Sequence, residues 1–164
     1  MPIDASLQRD CGCRENGLLR AGLPSDLEAV RAILREANLS APSPGDVERV
    51  THARIGEVLT LVYEQQRQVV AVLQWRNLLP EAEILDLAVK ATHRRRGLAT
   101  LLLKGFLAQA AGSGTQQVFL EVRESNAAAL ALYRNFGFQI AGRRPDYYRR
   151  PDEAALLMRL ALAG

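Results

Sequence analysis

Thr92 to Gly105 reads THRRRGLATLLLKG. Three arginines and a glycine lead into a run of leucines. Just upstream, Ile84 to Val89 (ILDLAV) is a nearly continuous apolar run with one aspartate, the pattern of a central strand. Leu98, Leu102 and Phe106 recur at i, i+4, with Thr100 and Lys104 on another face, so a helix opens at Gly97. The loop of this strand-loop-helix unit ends on unpaired N–H groups and the positive end of a helix dipole, which together favour an anion. Gly97 has no Cβ and Ala99 is nearly as small, so a phosphate can approach the backbone. Arg94, Arg95 and Arg96 can add charge at its rim. Neither G-x-x-x-x-G-K-[ST] nor G-x-G-x-x-G is present, which sets aside the P-loop and the dinucleotide fingerprint. On these residues alone, a phosphate site and a solvated basic turn both stand.

The remaining elements fall out on either side. Leu18 to Ala21 reads as a short first strand. Pro24, Ser25 and Asp26 supply a helix start, and Leu27, Val30, Ile33 and Leu34 repeat at helical spacing, so a helix is expected over Pro24 to Ala37. APSPGD is a loop, and Asp46 to Ile55 reads as a second short helix. Val58 to Tyr63 and Val69 to Trp75 are two strands around an EQQRQ hairpin turn, with another turn at Leu78 to Glu81. Downstream come a strand at Gln117 to Val122, a helix at Asn126 to Phe136 and a helix-ending Gly137. Two last strands, Phe138 to Gly142 and Ala154 to Leu162, flank PDYYRRPDE, read as a loop. The order β-α-α-β-β-β-α-β-α-β-β defines an α+β class with a mixed central sheet flanked by helices.

Composition narrows the function. A chain of 164 residues, 48% hydrophobic and 24% charged, suits one domain with an ordinary core: residues 1–17 as a polar tail and 18–164 as the domain. No apolar run approaches the roughly 20 residues of a membrane span, and the N-terminus lacks a signal peptide's apolar stretch, so a cytoplasmic protein is expected. The formal charge of +3 accommodates an anionic ligand. A nucleic-acid binder would rest on Arg94 to Arg96 and the pairs Arg143-Arg144 and Arg149-Arg150, but aromatics for base stacking make up only 5% of residues. Cys11 and Cys13 alone cannot complete a four-ligand zinc site, and no metal is expected.

Arg94-Arg95-Arg96-Gly97-Leu98-Ala99 resembles the R/Q-x-x-G-x-G/A loop of the GNAT superfamily of N-acetyltransferases. LEVRESNAAALALYRNFGF, Leu120 to Phe138, with Tyr147, Tyr148 and the closing EAALLMRLAL, is similar to the bacterial ribosomal-protein alanine N-acetyltransferases within it. The resemblance implies acetyl-CoA as co-substrate. It implies that the pyrophosphate lies on the N–H groups from Arg95 to Thr100, Leu98 included, and that the pantetheine arm pairs with Leu87, Ala88 and Val89 where two strands splay. It matches Glu121 to a catalytic glutamate, Tyr133 to a general-acid tyrosine and Asn126 to a residue contacting the CoA arm.

The residues themselves suit that chemistry. Direct acetyl transfer needs a neutral amine, a donor for the tetrahedral oxyanion and a proton for the departing thiolate. Glu121 shares a strand face with Phe119 and is either a base, direct or through water, or a strand-end carboxylate paired with Arg123. Tyr133 carries a phenol that stays protonated at neutral pH; it is either the acid or a packing tyrosine at a helix edge. Asn126 is also placed as a helix N-cap. The Val89 N–H is the simplest oxyanion donor. His93 reads as a surface histidine, and Trp75 and Phe106 as core.

The N-terminal half departs from the alanine acetyltransferase pattern. No F-P-W-type segment follows the first helix, where ANLSAPSPGDVERV stands, and the strand-to-loop junction reads VKATH without an acidic-Pro step. The acceptor therefore stays open among a protein N-terminal amine, a lysine and a small amine. A non-catalytic acyl-CoA sensor would keep Gly97 and Ala99 and could dispense with Glu121 and Tyr133.

Overall fold

A computed structural model describes residues 17–39, 56–149 and 151–162. The helix expected over Asp46 to Ile55, and the N-terminal tail with Cys11 and Cys13, lie outside the described residues. The elements are β1 (Gly17–Ala21), α1 (Leu27–Glu36), β2 (Val58–Gln65), β3 (Gln68–Leu78), β4 (Glu81–Val89), α2 (Leu98–Gly112), β5 (Gln117–Arg123), α3 (Ala127–Asn135), β6 (Gln139–Tyr148) and β7 (Glu153–Ala161). Pro24 opens a single 3-10 turn ahead of α1, so the expected first helix is a 3-10 turn followed by an α-helix. The seven strands form one sheet in the order β1-β2-β3-β4-β5-β7-β6. Its neighbours are antiparallel except β4 and β5, which are parallel and joined across α2. No helix among the described residues is long and apolar enough to cross a membrane.

Helices cover the two faces. Val30, Ile33 and Leu34 of α1 pack on Val62, Val69, Val72 and Ala88. On the other face, Leu98, Leu102 and Phe106 of α2 join Leu61, Leu73, Trp75, Ile84 and Leu120, with Leu130 and Tyr133 of α3 in the same cluster. Trp75 and Phe106 pack with their rings tilted at 60°, 5.2 Å between centroids, and are core, as expected. Each such side chain contributes on the order of 1.5–3 kcal/mol by leaving water. The β2–β3 hairpin turns on Gln66 and Arg67, both at positive φ, the condition of a type I′ turn. Gly137, at φ 88°, ends α3 as its position predicts.

The segment PDYYRRPDE is only partly a loop. Pro145 to Tyr148 belong to β6, which pairs with β7 up to Tyr148↔Glu153 after an irregularity beyond Arg144. β6 is an outer edge strand, exposed along nearly its whole length, so no apolar alternation marks it. An edge strand also tolerates a proline.

Two irregularities in β4 position the site. Gln74 pairs with Asp86 but Trp75 pairs with Ile84, so Leu85 is an extra residue in β4, a bulge. Ile84 therefore joins the α2-side core while Ala88, also even-numbered, joins the α1 side. The parallel pairing of β4 with β5 stops at Ile84↔Leu120, although β4 runs on to Val89 and β5 to Arg123. The two strands diverge from the bulge onward.

Candidate functional site

Beyond the divergence, β4 has one side without a neighbouring strand. Lys90 N–H donates to Val70 O, and antiparallel ladders alternate, so Ala88 and Asp86 exchange their backbone bonds with β3. Leu87 and Val89 then turn their N–H and C=O groups into the gap facing β5. Leu87 N–H and C=O and Val89 N–H are the ladder groups open to an extended partner, since Val89 O accepts from Arg94. Ala88 has its backbone turned to β3 and its methyl buried under α1.

The loop after β4 presents amides. A 3-10 turn at Ala91–His93 leads to Arg95 at φ 64° and Gly97 at φ 78°. The left-handed conformation at Gly97 is nearly free for glycine and strained for larger residues. Leu101 N–H is the first amide of α2 to find a helical acceptor, on Gly97 O. Among the described residues, the N–H groups of Arg95, Gly97, Leu98, Ala99 and Thr100 meet no backbone acceptor. That row of free donors at a helix start matches the chemistry of a pyrophosphate. The Arg94 guanidinium is occupied: its Nε donates to Val89 O at 3.0 Å and its Nη2 lies 3.9 Å from Glu36, which also accepts from Ala91 N–H. It ties the loop to the end of β4 and to α1. His93 is half-buried and has Thr92 Oγ1 at 2.8 Å from Nδ1.

Glu121 lies on β5 on the face opposite Leu120 and Val122, which enter the α2-side core. Its partner is Arg144 of β6, with Nη1 at 2.9 Å from Oε1; Arg123 is instead held by Glu153 at 3.1 Å. Tyr147 donates to Glu121, and this bond, then burial, pushes its phenol up to about 12. Arg123 sits 4.2 Å over the ring of Tyr148, and Tyr147 meets Tyr148 edge-on at 5.1 Å. The Tyr-Tyr pair of β6 thus stands beside the Glu121 carboxylate.

Tyr133 is buried at 7% exposure and packs edge-to-face on Phe138 at 5.6 Å. Burial first, then the negative charge of Asp86 and the neighbouring Tyr148, holds its phenol well above the ordinary tyrosine value. It stays a proton donor at any working pH. Asn126 caps α3, accepting from Ala129 N–H at 3.1 Å, while Ser125 N–H donates to Glu153 at 2.5 Å. These bonds fix the start of the helix that carries Tyr133.

Asp86 joins the candidate site from the structure, not from the sequence. The bulge at Leu85 puts it on the same face as Ala88, hence on the face of Glu121. Burial raises its carboxyl to about 6. The one available signal was a charge interrupting the apolar run ILDLAV.

The chain's likeness to known proteins agrees with this geometry. Residues 27–138 match the acetyltransferase (GNAT) family model. A [ribosomal protein bS18]-alanine N-acetyltransferase of Haemophilus ducreyi is 36% identical over 107 residues, 63% of this chain and 74% of that protein. The crystal structure of the ribosomal-protein-S18-alanine N-acetyltransferase from Escherichia coli superposes with a TM-score of 0.78 at 29% identity, covering 91% of this chain and 97% of that one. Arabidopsis thaliana NAA60 in complex with acetyl-CoA shares the fold at 19% identity, TM-score 0.77, over 90% of this chain and all of that one. With amides, diverging strands and a matching family model over the same residues, the chain belongs to the acetyltransferase (GNAT) family.

Proposed function

We propose that this chain, acting in the cytoplasm with residues 18–164 as one catalytic domain, acetylates the α-amine of a protein N-terminus from acetyl-CoA. A ribosomal protein is the first acceptor to test, because relatives are named for that reaction. One observation carries the reading: β4 and β5 part between the open amides of Gly97 to Thr100 and the strand and helix that carry Glu121 and Tyr133.

The residues fit the co-substrate. The amides of Arg95 and of Gly97 to Thr100 would hold the pyrophosphate, and the gap-facing groups of Leu87 the pantetheine arm as it runs past Ala88 and Val89. Arg95 and Arg96 would add charge at the rim, and Asn126 a contact from the start of α3. Acetyl-CoA supplies an activated thioester; the chain supplies position and protons. An α-amine has a pKa of about 8, so at neutral pH it arrives mostly as an ammonium and must lose a proton. Glu121, an acceptor held by Arg144 and Tyr147, takes that proton through water. Val89 N–H faces the forming oxyanion. Tyr133 gives its proton to the thiolate, and the proton left on nitrogen restores the phenol.

A CoA-release assay over peptides with different N-termini, lysine peptides and polyamines tests the acceptor. The reading expects peptides with a free α-amine to be preferred by at least tenfold in kcat/KM. Preference for a blocked lysine peptide or for spermidine would replace the acceptor, and no release with any amine would remove the transfer reading.

A further inference from the structure

Asp86 is a charged group that the roles above leave unused. The bulge at Leu85 lifts it out of the α2-side core and turns it to the Glu121 face at the point where β4 leaves β5. Among the described residues no hydrogen bond or ion pair engages its carboxylate. Among the described residues, the charged and titratable groups on the neighbouring elements are as follows. Tyr133 of α3 and Tyr148 of β6 are close enough to feel its charge. Opposite it on β3, Gln74 is uncharged and donates to Thr60 at 3.0 Å. From α1, Glu36 is held by Ala91 N–H and Arg94. Around Tyr148 stand Arg123, Glu121 and Glu153, and the arginines there are taken: Arg123 by Glu153 and Arg144 by Glu121.

We propose that Asp86 is the docking point for the ammonium group of the incoming acceptor, making the centre selective for acceptors that arrive as a primary ammonium. This rests on the acetyl-transfer reading above. A half-buried carboxylate that no described residue neutralises is costly to hold, and a cation delivered by the substrate relieves that cost. A primary ammonium has three donors. One meets Asp86, and the phenol oxygens of Tyr133 and Tyr148, whose titration Asp86 influences, can accept the others. Burial alone raises Asp86 to about 6, and an α-amine titrates at about 8, so both partners are charged between those values. Docking weakens below about pH 6 as Asp86 takes a proton, and above about pH 8 as the amine loses one. Glu121 and Tyr133 then act on an amine already placed.

The test compares a hexapeptide beginning with alanine and its des-amino counterpart, in which a propionyl group replaces the alanyl residue. Binding to the CoA-loaded protein is measured by calorimetry for wild type, Asp86→Asn and Asp86→Glu between pH 5 and 9, with turnover of the alanyl peptide followed separately. Wild type should favour the alanyl peptide at least tenfold near pH 7. Asp86→Asn should abolish that preference without changing affinity for the des-amino peptide, and Asp86→Glu should restore part of it. An Asp86→Asn protein that keeps the preference, or a wild type that binds both peptides equally, overturns the proposal even if acetylation proceeds. Wild-type preference lost in Asp86→Asn, but with no acetylation, upholds the docking site and overturns the transfer reading instead.

Discussion

Nη1 of Arg144 lies 2.9 Å from Oε1 of Glu121, across from β6 to β5 with β7 between them in the sheet. The pair joins an exposed edge strand to the carboxylate assigned the amine proton. It also means that Glu121 is oriented by β6 rather than by its sequence neighbour Arg123.

That arrangement predicts strong coupling. Glu121→Gln should lower kcat by about 10²–10⁴-fold, the range for loss of a positioned base. Arg144→Gln should lower it by roughly tenfold, with Arg144→Lys recovering part. In the Glu121→Gln background the Arg144 change should add almost nothing, since both act through one carboxylate. Steady-state kinetics on the four proteins decides; losses that multiply would separate Arg144 from Glu121.

Tyr133→Phe removes one oxygen and keeps the ring against Phe138. The melting temperature should change by only about 2 °C, while kcat falls by roughly 10²–10³-fold at unchanged acetyl-CoA affinity. Because burial holds the phenol above its usual range, wild-type rates should show no alkaline fall from Tyr133 up to about pH 9. A near-wild-type kcat in the variant would return Tyr133 to a packing role.

Asp86 predicts a trade between stability and activity. Its folded-state value, about 6, lies above that of an unfolded aspartate. Its contribution to stability is therefore fully present below about pH 4 and is lost as pH rises through about 6. At pH 8 Asp86→Asn should be more stable than wild type by up to about 2 kcal/mol, after discounting for partial exposure, and the gain should shrink towards pH 5. Denaturant midpoints at the two pH values check this; equal or lower stability at pH 8 would contradict it.

Asp26 behaves in the opposite sense. Burial alone would raise its carboxyl, but the Arg20 hydrogen bonds at 2.6 and 3.0 Å and the Leu23 N–H outweigh it and hold the group below its ordinary value. A depressed carboxyl contributes stability above its unfolded pKa of about 4 and loses it as pH falls through the folded value. Asp26→Asn should cost about 2 kcal/mol at pH 7 and progressively less below pH 4, read as shifts in unfolding midpoint.

The helices were legible from apolar residues at helical spacing, and the inner strands from short apolar runs buried on both faces. Val30, Ile33 and Leu34 mark α1, and the apolar run of Ile84 to Val89 marks β4. The end of β6 was hidden because both of its faces are wet, so Pro145 to Tyr148 look like a loop. The bulge at Leu85 has no compositional mark, and without it parity assigns Asp86 to the same face as Ile84, inside the core. Glu121, Tyr133 and the Gly97 loop became candidates through family resemblance joined to their chemistry. The partner of Glu121 was not, since Arg123 is adjacent in sequence while Arg144 is adjacent only in the sheet.

The account places the pyrophosphate on backbone amides, with the arginine side chains secondary. Acetyl-CoA affinity by calorimetry for Gly97→Val, Arg94→Gln, Arg95→Gln and Arg96→Gln tests this most directly. At φ 78° a valine is strained and covers the amides, so Gly97→Val should weaken binding at least tenfold. Each arginine variant should weaken it by about threefold or less. Comparable affinities across the four variants, or a larger loss from any single arginine, would contradict the backbone cradle.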